Sequence, residues 1–383
     1  MNSKREVIPA GRDLRFDTLR GLFLICMTVN HLPTEIRWIT DQSLGLFSAA
    51  EGFVFLSGLI SGWVYTRRLR EGGPGGLWHA ALRRARTIYF WHIVSFIGAL
   101  VCVLLTEYAC GYCSPNAPRL FFENPVASVG LGLALLYQPG LLDLLPMYCV
   151  FVLALPLVIL GLESGRRWLV LSVSAALWLG AQWASRYAGA PSYPINTGSF
   201  NVFAWQLIFV AGIAIGHARA NGQAMVSRPN PWVLAAAAAI AVYSLGIRHG
   251  QWPVPWPEAV YGVLLNKPAL GLLRMADFGA IAYLVAIVGA RHPSALEARP
   301  LAFLGRHSLV VVATQSVAIM ALLQFPALFA TFTDRTLVAL GTVALVFAAA
   351  AARQALVHRP SRTAPLEPTQ VSQAGAAHLN PSG

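Results

Sequence analysis

Three polar residues in the first apolar segment have side chains and a spacing suited to chemistry inside a membrane. Asp17, Arg20 and His31 lie in the segment RDLRFDTLRGLFLICMTVNH. A helix turns about 100° per residue, so the three share one face, with Arg20 and His31 roughly 16 Å apart along the axis. An isolated charge deep in a bilayer costs on the order of 3 kcal/mol or more, so this face should turn toward a bundle interior or a wet cavity. The alternative is an Asp17–Arg20 pair at the membrane interface plus one hydrogen-bonded histidine.

His31 is the leading candidate for a general base, because an imidazole can accept a hydroxyl proton at neutral pH. Glu51, near the outer end of the second apolar segment, is its natural partner. The first two helices should be antiparallel neighbours, and a carboxylate could fix the imidazole tautomer and stabilise the imidazolium. Otherwise Glu51 is a hydrated residue at a helix tip.

A run of arginines, Arg83, Arg84 and Arg86, opens the third apolar segment on the predicted cytoplasmic side. Arginine forks suit phosphate recognition, and with Arg20 they could form a basic mouth for a phosphorylated donor. The alternative is a positive-inside anchor that also touches anionic lipid. Other polar residues in or beside apolar segments are candidate substrate contacts or plain helix–helix hydrogen bonds: Asp143, Tyr148, Asn201, Trp205, Gln206 and Arg306.

The composition predicts an all-α polytopic membrane protein. The 383 residues are 56% hydrophobic and 11% charged, with a mean hydropathy of +0.58, whereas soluble domains carry about 25% charged residues. The net charge of +12 is spread between apolar segments, so it indicates topology rather than nucleic-acid binding. No cleavable signal peptide is predicted. Cys110 and Cys113 form a lone Cys-x-x-Cys, which predicts no metal site without further ligands.

The hydropathy pattern predicts about ten transmembrane helices in one bundle, with both termini cytoplasmic. Residues 1–13 form a cytoplasmic segment, 14–353 the transmembrane domain and 354–383 a disordered tail. The stretch 125–138 is short for a crossing, and we place it on the outer side because the later basic loops then stay inside. The predicted spans are 15–33, 46–66, 87–106, 143–162, 167–186, 201–218, 231–247, 273–290, 307–325 and 335–353.

The pattern RxDxLRGLxLxxMxxNH over residues 15–31 resembles the first helix of the OpgC family of bacterial membrane acyltransferases, within the wider acyltransferase-3 group. Four further stretches agree and extend the resemblance over most of residues 12–320: FSAAEGFVFLSGLISGWVY, DLLPMYCVFVLALPL, FNVFAWQLIFVAGIAIGHAR and LGRHSLVVVATQS. Arg20 and His31 match the arginine–histidine signature of the wider group. Glu51 stands where that group usually has an acidic residue, and the arginines from Arg83 to Arg86 resemble its arginine run.

The resemblance implies acyl transfer, with succinyl on a periplasmic glucan as the family activity, at the bacterial inner membrane. Acyl-CoA is the expected co-substrate, with no tightly bound cofactor and no metal, and with the glucan and membrane lipids as partners. We expect the thioester arm to pass Arg20, and His31, oriented by Glu51, to deprotonate a sugar hydroxyl. A covalent acyl-His intermediate, an acetyl group or another acceptor would fit the same residues.

A transporter or flippase of a glycan or other anionic substrate is the alternative from a different class. Intramembrane Asp, Arg and His also mark substrate and proton pathways. Against it, the sequence shows no internal repeat of the kind that many secondary transporters have. An enzyme would depend on acyl-CoA and a transporter would not.

Overall fold

A computed structural model of the protein describes residues 13–110, 119–187, 195–224 and 229–357. Over these residues the regular structure is helical, apart from an isolated bridge between Tyr137 and Asn196. The helices are α1 Leu14–Asn30, α2 Arg37–Thr40, α3 Ala49–Cys110, α4 Arg119–Glu123, α5 Pro125–Leu133, α6 Leu144–Glu163, α7 Arg167–Tyr187, α8 Val202–Ala220, α9 Pro231–Arg248, α10 Glu258–Leu264, α11 Leu272–Arg291, α12 Arg299–Arg306, α13 Ser308–Leu322 and α14 Phe332–Val357.

Seven of the described helices are long and apolar enough to cross a membrane, or eight if α12 and α13, bent by 84°, form one broken span. Helix α3 counts once, although it is two helices that meet at Gly73, whose φ of 61° breaks the helix just before Pro74. It therefore contains two predicted spans and the basic segment between them. Helix α1, with 17 residues, is shorter than the seven. The all-α polytopic membrane fold is confirmed, while the number of crossings and the sidedness of the termini stay predictions.

One helix extends past a boundary predicted from the sequence, and a short helix lies where a non-crossing stretch was predicted. Helix α14 continues to Val357, four residues into the predicted tail; residues 1–12 and 358–383 lie outside the described ranges. The stretch 125–138 contains the nine-residue helix α5, which rises about 14 Å and is too short to cross a bilayer. Backbone hydrogen bonds between Gln138 and Asn196, and between Asn196 and Leu136, then tie it to the loop before α8.

Small residues let α3 and α8 approach backbone to backbone. Gly58 and Gly62 on α3 face Gly212 and Gly216 on α8. A Cβ added at any of the four would lie 2.0–2.4 Å from a backbone oxygen of the other helix. The hydrophobic effect does not drive helices together in lipid, so the van der Waals contact at such close crossings stabilises the helix pair. The small residues of the second apolar segment thus pack against α8.

Helix α1 packs against α12 in the same way, with the backbones of Gly21 and Leu301 in contact, and those of Asp17 and Gly305. This packing buries Asp17, which is 3% exposed. The polar face of α1 therefore turns into the bundle, as its charge pattern predicts.

Candidate functional site

His31 lines a cavity of about 470 Å³. The residue is the C-cap of α1, its side chain is exposed to the cavity, and its imidazole makes no hydrogen bond with any residue that the structure describes. Helix α2, the starts of α3 and α6 and the middle of α13 form the other walls, with the loops that precede α3, α6, α8 and α11. A cavity of this size accommodates a small-molecule group. We call it the His31 cavity.

Charged side chains from distant parts of the sequence surround this cavity. Asp143, a predicted site residue, lines it, and its Oδ2 accepts a hydrogen bond from the backbone N–H of Ser199 at 2.8 Å. Arg37 and Asp41 also line it and form an ion pair at 3.7 Å. Lys267 completes the set. The cavity thus combines an accessible imidazole with both signs of charge.

Glu51 is not hydrogen-bonded to His31, which corrects the orienting contact that we predicted. Its Oε1 accepts hydrogen bonds from Nε of Arg274 at 3.1 Å and from Nη2 of the same side chain. Its Oε2 accepts from the backbone N–H of Ser48 at 3.0 Å and from the Ser48 hydroxyl. This capping turn at the start of α3 directs the carboxylate away from the end of α1 and toward α11.

Arg83 and Arg84 line a second cavity of about 830 Å³ around the bend of α3 at Gly73. Nη2 of Arg83 lies 2.8 Å from Nε2 of His79, in the same wall. Arg86 is exposed and is not part of the lining. The run of arginines is therefore divided, with two members in the cavity and one outside. We call it the Arg83 cavity.

The two cavities lie at opposite ends of the first half of α3. Ser48 and Ala50 line the His31 cavity, and Val64 and Tyr65 line the Arg83 cavity. The helix rises roughly 21 Å over the 14 residue steps from Ala50 to Val64.

Arg20 lies in the bundle interior on the polar face of α1. Its Nη2 donates to the hydroxyl of Ser308 at 2.5 Å, and its guanidinium lies 5.5 Å from the ring centre of Phe53. Arg306, the last residue of α12, contacts the ring of Phe303 at 5.9 Å. Arg20, Asp17 and Arg306 line neither of the two cavities.

Four predicted site residues hold helices and loops together. Asn201 caps α8 through the backbone N–H groups of residues 203 and 204, and the indole of Trp205 donates to the carbonyl of Pro268 at 3.1 Å. Gln206 exchanges hydrogen bonds with Ser174 on α7. The fourth, Tyr148, is buried and donates to the carbonyl of residue 53 at 3.3 Å. None of the four lines either cavity.

Sequence analysis missed Arg274, Arg37, Asp41 and Lys267. The charge of Arg274 inside the predicted span 273–290 was a usable signal, because intramembrane arginines are rare and functional. In the sequence the other three look like ordinary charged loop residues, and only the fold shows that their loops lie beside His31. Of the Cys-x-x-Cys pair, Cys113 lies outside the described residues.

Residues 12–357 match the family described as OpgC protein. No curated protein and no solved structure matches the chain. The matched region includes His31, Asp143, Lys267 and both cavities. The chain therefore belongs to the OpgC family, and this membership supports a glucan-modifying acyltransferase as its general role.

Proposed function

We propose that this protein is a membrane-embedded O-acyltransferase that moves an acyl group, succinyl in the first instance, from cytoplasmic acyl-CoA to hydroxyl groups of a periplasmic glucan. The observation that carries the proposal is the accessible imidazole of His31 at a cavity of about 470 Å³, in a chain that belongs to a family of this general role. This reaction requires a bacterial inner membrane, and the distribution of the basic loops supports termini on the cytoplasmic side.

His31 acts as the general base in this reaction. A ring nitrogen accepts the proton of a glucan hydroxyl as its oxygen attacks the thioester carbon. The carbon–sulfur bond then breaks, and the imidazolium returns the proton to the departing thiolate. The products are a glucan ester and free CoA. His31 suits this role because no hydrogen bond to a described residue occupies its ring nitrogens.

The Arg83 cavity supplies the donor site. Arg83 and Arg84 face a space of about 830 Å³ at the bend of α3, and guanidinium groups bind phosphate through paired hydrogen bonds. The phosphates of CoA would bind there, and the flexible thioester arm would extend along the first half of α3. Arg20, roughly 16 Å from His31 along α1, lies on the way.

The test compares periplasmic glucans from cells that carry wild-type protein, His31→Ala protein or none. We expect wild-type protein to add an acyl mass and negative charge to the glucans, and His31→Ala protein to add neither. His292→Ala is the matched control, because His292 is an exposed histidine outside both cavities. Membrane levels of all variants are matched by immunoblot.

Two results would overturn parts of the proposal. Identical glucans from wild-type and null cells would reject the glucan as the acceptor. Full acylation by the His31→Ala protein would reject His31 as the base and make Asp143, in the same cavity, the next candidate for that role.

A further inference from the structure

Lys267 differs from the other charged residues of the His31 cavity. The chain has two lysines, Lys4 and Lys267, and its other basic side chains, apart from histidine, are arginine. Lys267 lines the cavity, is exposed to it, and forms no ion pair or hydrogen bond through its ammonium group with a described residue. Its charge acts on both His31 and Asp143. A cation thus faces the space next to the proposed base.

The other charged groups on the cavity wall already have partners. Asp143 accepts a hydrogen bond from the backbone of Ser199. Arg37 pairs with Asp41, which also lies 3.8 Å from the guanidinium of Arg248. Among the described residues that line the cavity, Lys267 is therefore the cation that has no carboxylate within ion-pair distance.

The loop that carries Lys267 is held firmly in place. Three successive carbonyl groups, those of residues 268–270, each accept a hydrogen bond from a side chain of α7 or α8. The donors are the indole of Trp205, the amide of Gln182 and the indole of Trp178. The backbone N–H of Asn201 adds a further bond to the first carbonyl, at 3.0 Å. Rigid support of this kind is how a protein positions a side chain that binds a ligand.

We propose that Lys267 is a specificity-determining residue that binds a carboxylate of the substrate held at His31. The carboxylate is either the free end of a dicarboxylic acyl group or a charge already present on the acceptor glucan. A compact ammonium with three donors is suited to one carboxylate in a shared cavity. This assignment rests on the proposed acyltransferase function.

The experiment measures transfer by membranes containing the full chain, with succinyl-CoA or acetyl-CoA as donor and neutral or previously succinylated glucan as acceptor. Variants are Lys267→Met, Lys267→Arg and the control Arg291→Met, an exposed cation outside both cavities. We expect Lys267→Met to lower succinyl transfer roughly tenfold or more relative to acetyl transfer, and Lys267→Arg to lower it less.

Each pattern of loss has one meaning. If Lys267→Met lowers transfer to the succinylated glucan but not to the neutral glucan, whichever donor is used, the carboxylate belongs to the glucan and Lys267 still binds it. An equal loss for all four substrate pairs, or no loss, overturns the proposal. If the wild type transfers neither acyl group, the acyltransferase function itself has failed.

A second measurement needs neither activity nor a folded variant. Wild-type membranes are treated with an amine-reactive reagent, and labelling of Lys267 is compared with that of Lys4 by mass spectrometry. Succinate should protect Lys267 and leave Lys4 unchanged, whereas uncharged succinamide should protect neither. Equal labelling of Lys267 with and without succinate overturns the assignment.

Discussion

Arg274 on α11 pairs with Glu51 at the start of α3 inside the bundle, where the two side chains are 4% and 1% exposed. Ser48 binds the other carboxylate oxygen. Since Ser48 and Ala50 line the His31 cavity, the pair sets the position of that cavity wall. Glu51 is therefore a positioning residue in this fold rather than the partner of His31.

Replacing one member of this pair should destabilise the protein more than replacing both. Glu51→Met leaves the Arg274 charge buried without compensation, and Arg274→Met does the same to Glu51. Each single change should lower the free energy of unfolding by about 3–5 kcal/mol, and the double change should lower it by less than either single change. Thermal unfolding in detergent measures this. The exposed pair Arg68–Glu71 is the control, with little effect expected. Additive losses at Glu51 and Arg274 would contradict a coupled pair.

The contact between α3 and α8 should not accommodate even one methyl group added to a glycine of the interface. In Gly58→Ala the new Cβ would lie 2.2 Å from the backbone oxygen of Phe209, and no side-chain rotation relieves that clash. We expect a lower yield of folded protein and a lower unfolding temperature. Gly180→Ala is the matched control, because a Cβ there meets nothing within 4 Å. That change should be neutral or stabilising by up to about 1 kcal/mol. Equal behaviour of the two variants would contradict the backbone contact.

The sequence was sufficient to predict features that depend on local periodicity. Composition indicated a polytopic helical bundle, and the spacing of Asp17 and Arg20 indicated an inward polar face, because both follow from helix geometry and the cost of charge in lipid. The small residues around Gly58 are a signal of the same local kind, because they let a second helix approach closely.

Contacts between distant segments could not be predicted in this way. Glu51 and His31 both stand at the ends of their helices, but the capping turn at Ser48 and the position of Arg274 on α11 direct the carboxylate elsewhere. Lys267 reaches the His31 cavity because its loop hydrogen-bonds to α7 and α8. No periodicity in the sequence encodes either arrangement.

The junction between α1 and α8 should make stability depend on pH. Asp13 pairs with Arg15 at 2.7 Å and with Arg219 at 2.9 Å. Burial alone would raise the pKa of the Asp13 carboxyl, but the hydrogen bonds and charge of Arg15 and the charge of Arg219 outweigh it and lower the pKa. The stabilisation is therefore complete above the unfolded pKa of about 4, and it is lost as the pH falls through the lowered folded value.

Asp13→Asn isolates this charge effect, since asparagine is an equally good helix N-cap. The variant should unfold at a lower temperature than wild type at pH 7, and the difference should shrink as the pH falls below about 4. Glu71→Gln, in an exposed pair, is the control and should show little difference at any pH. A difference in unfolding temperature between wild type and Asp13→Asn that stays constant with pH would contradict the ion-pair explanation.

The division of the arginine run predicts unequal effects on donor binding. Arg83→Gln and Arg84→Gln each remove a cation from the Arg83 cavity, so each should raise the KM for acyl-CoA about tenfold, the value of one charge-assisted hydrogen bond. The kcat should change little, because neither residue lies at the His31 cavity. Arg86→Gln removes the same charge from the same helix but outside the cavity, so its effect on KM should be much smaller. If all three variants raise KM equally, the arginines act through general surface charge toward the anionic donor or lipid, and the Arg83 cavity is not the donor site.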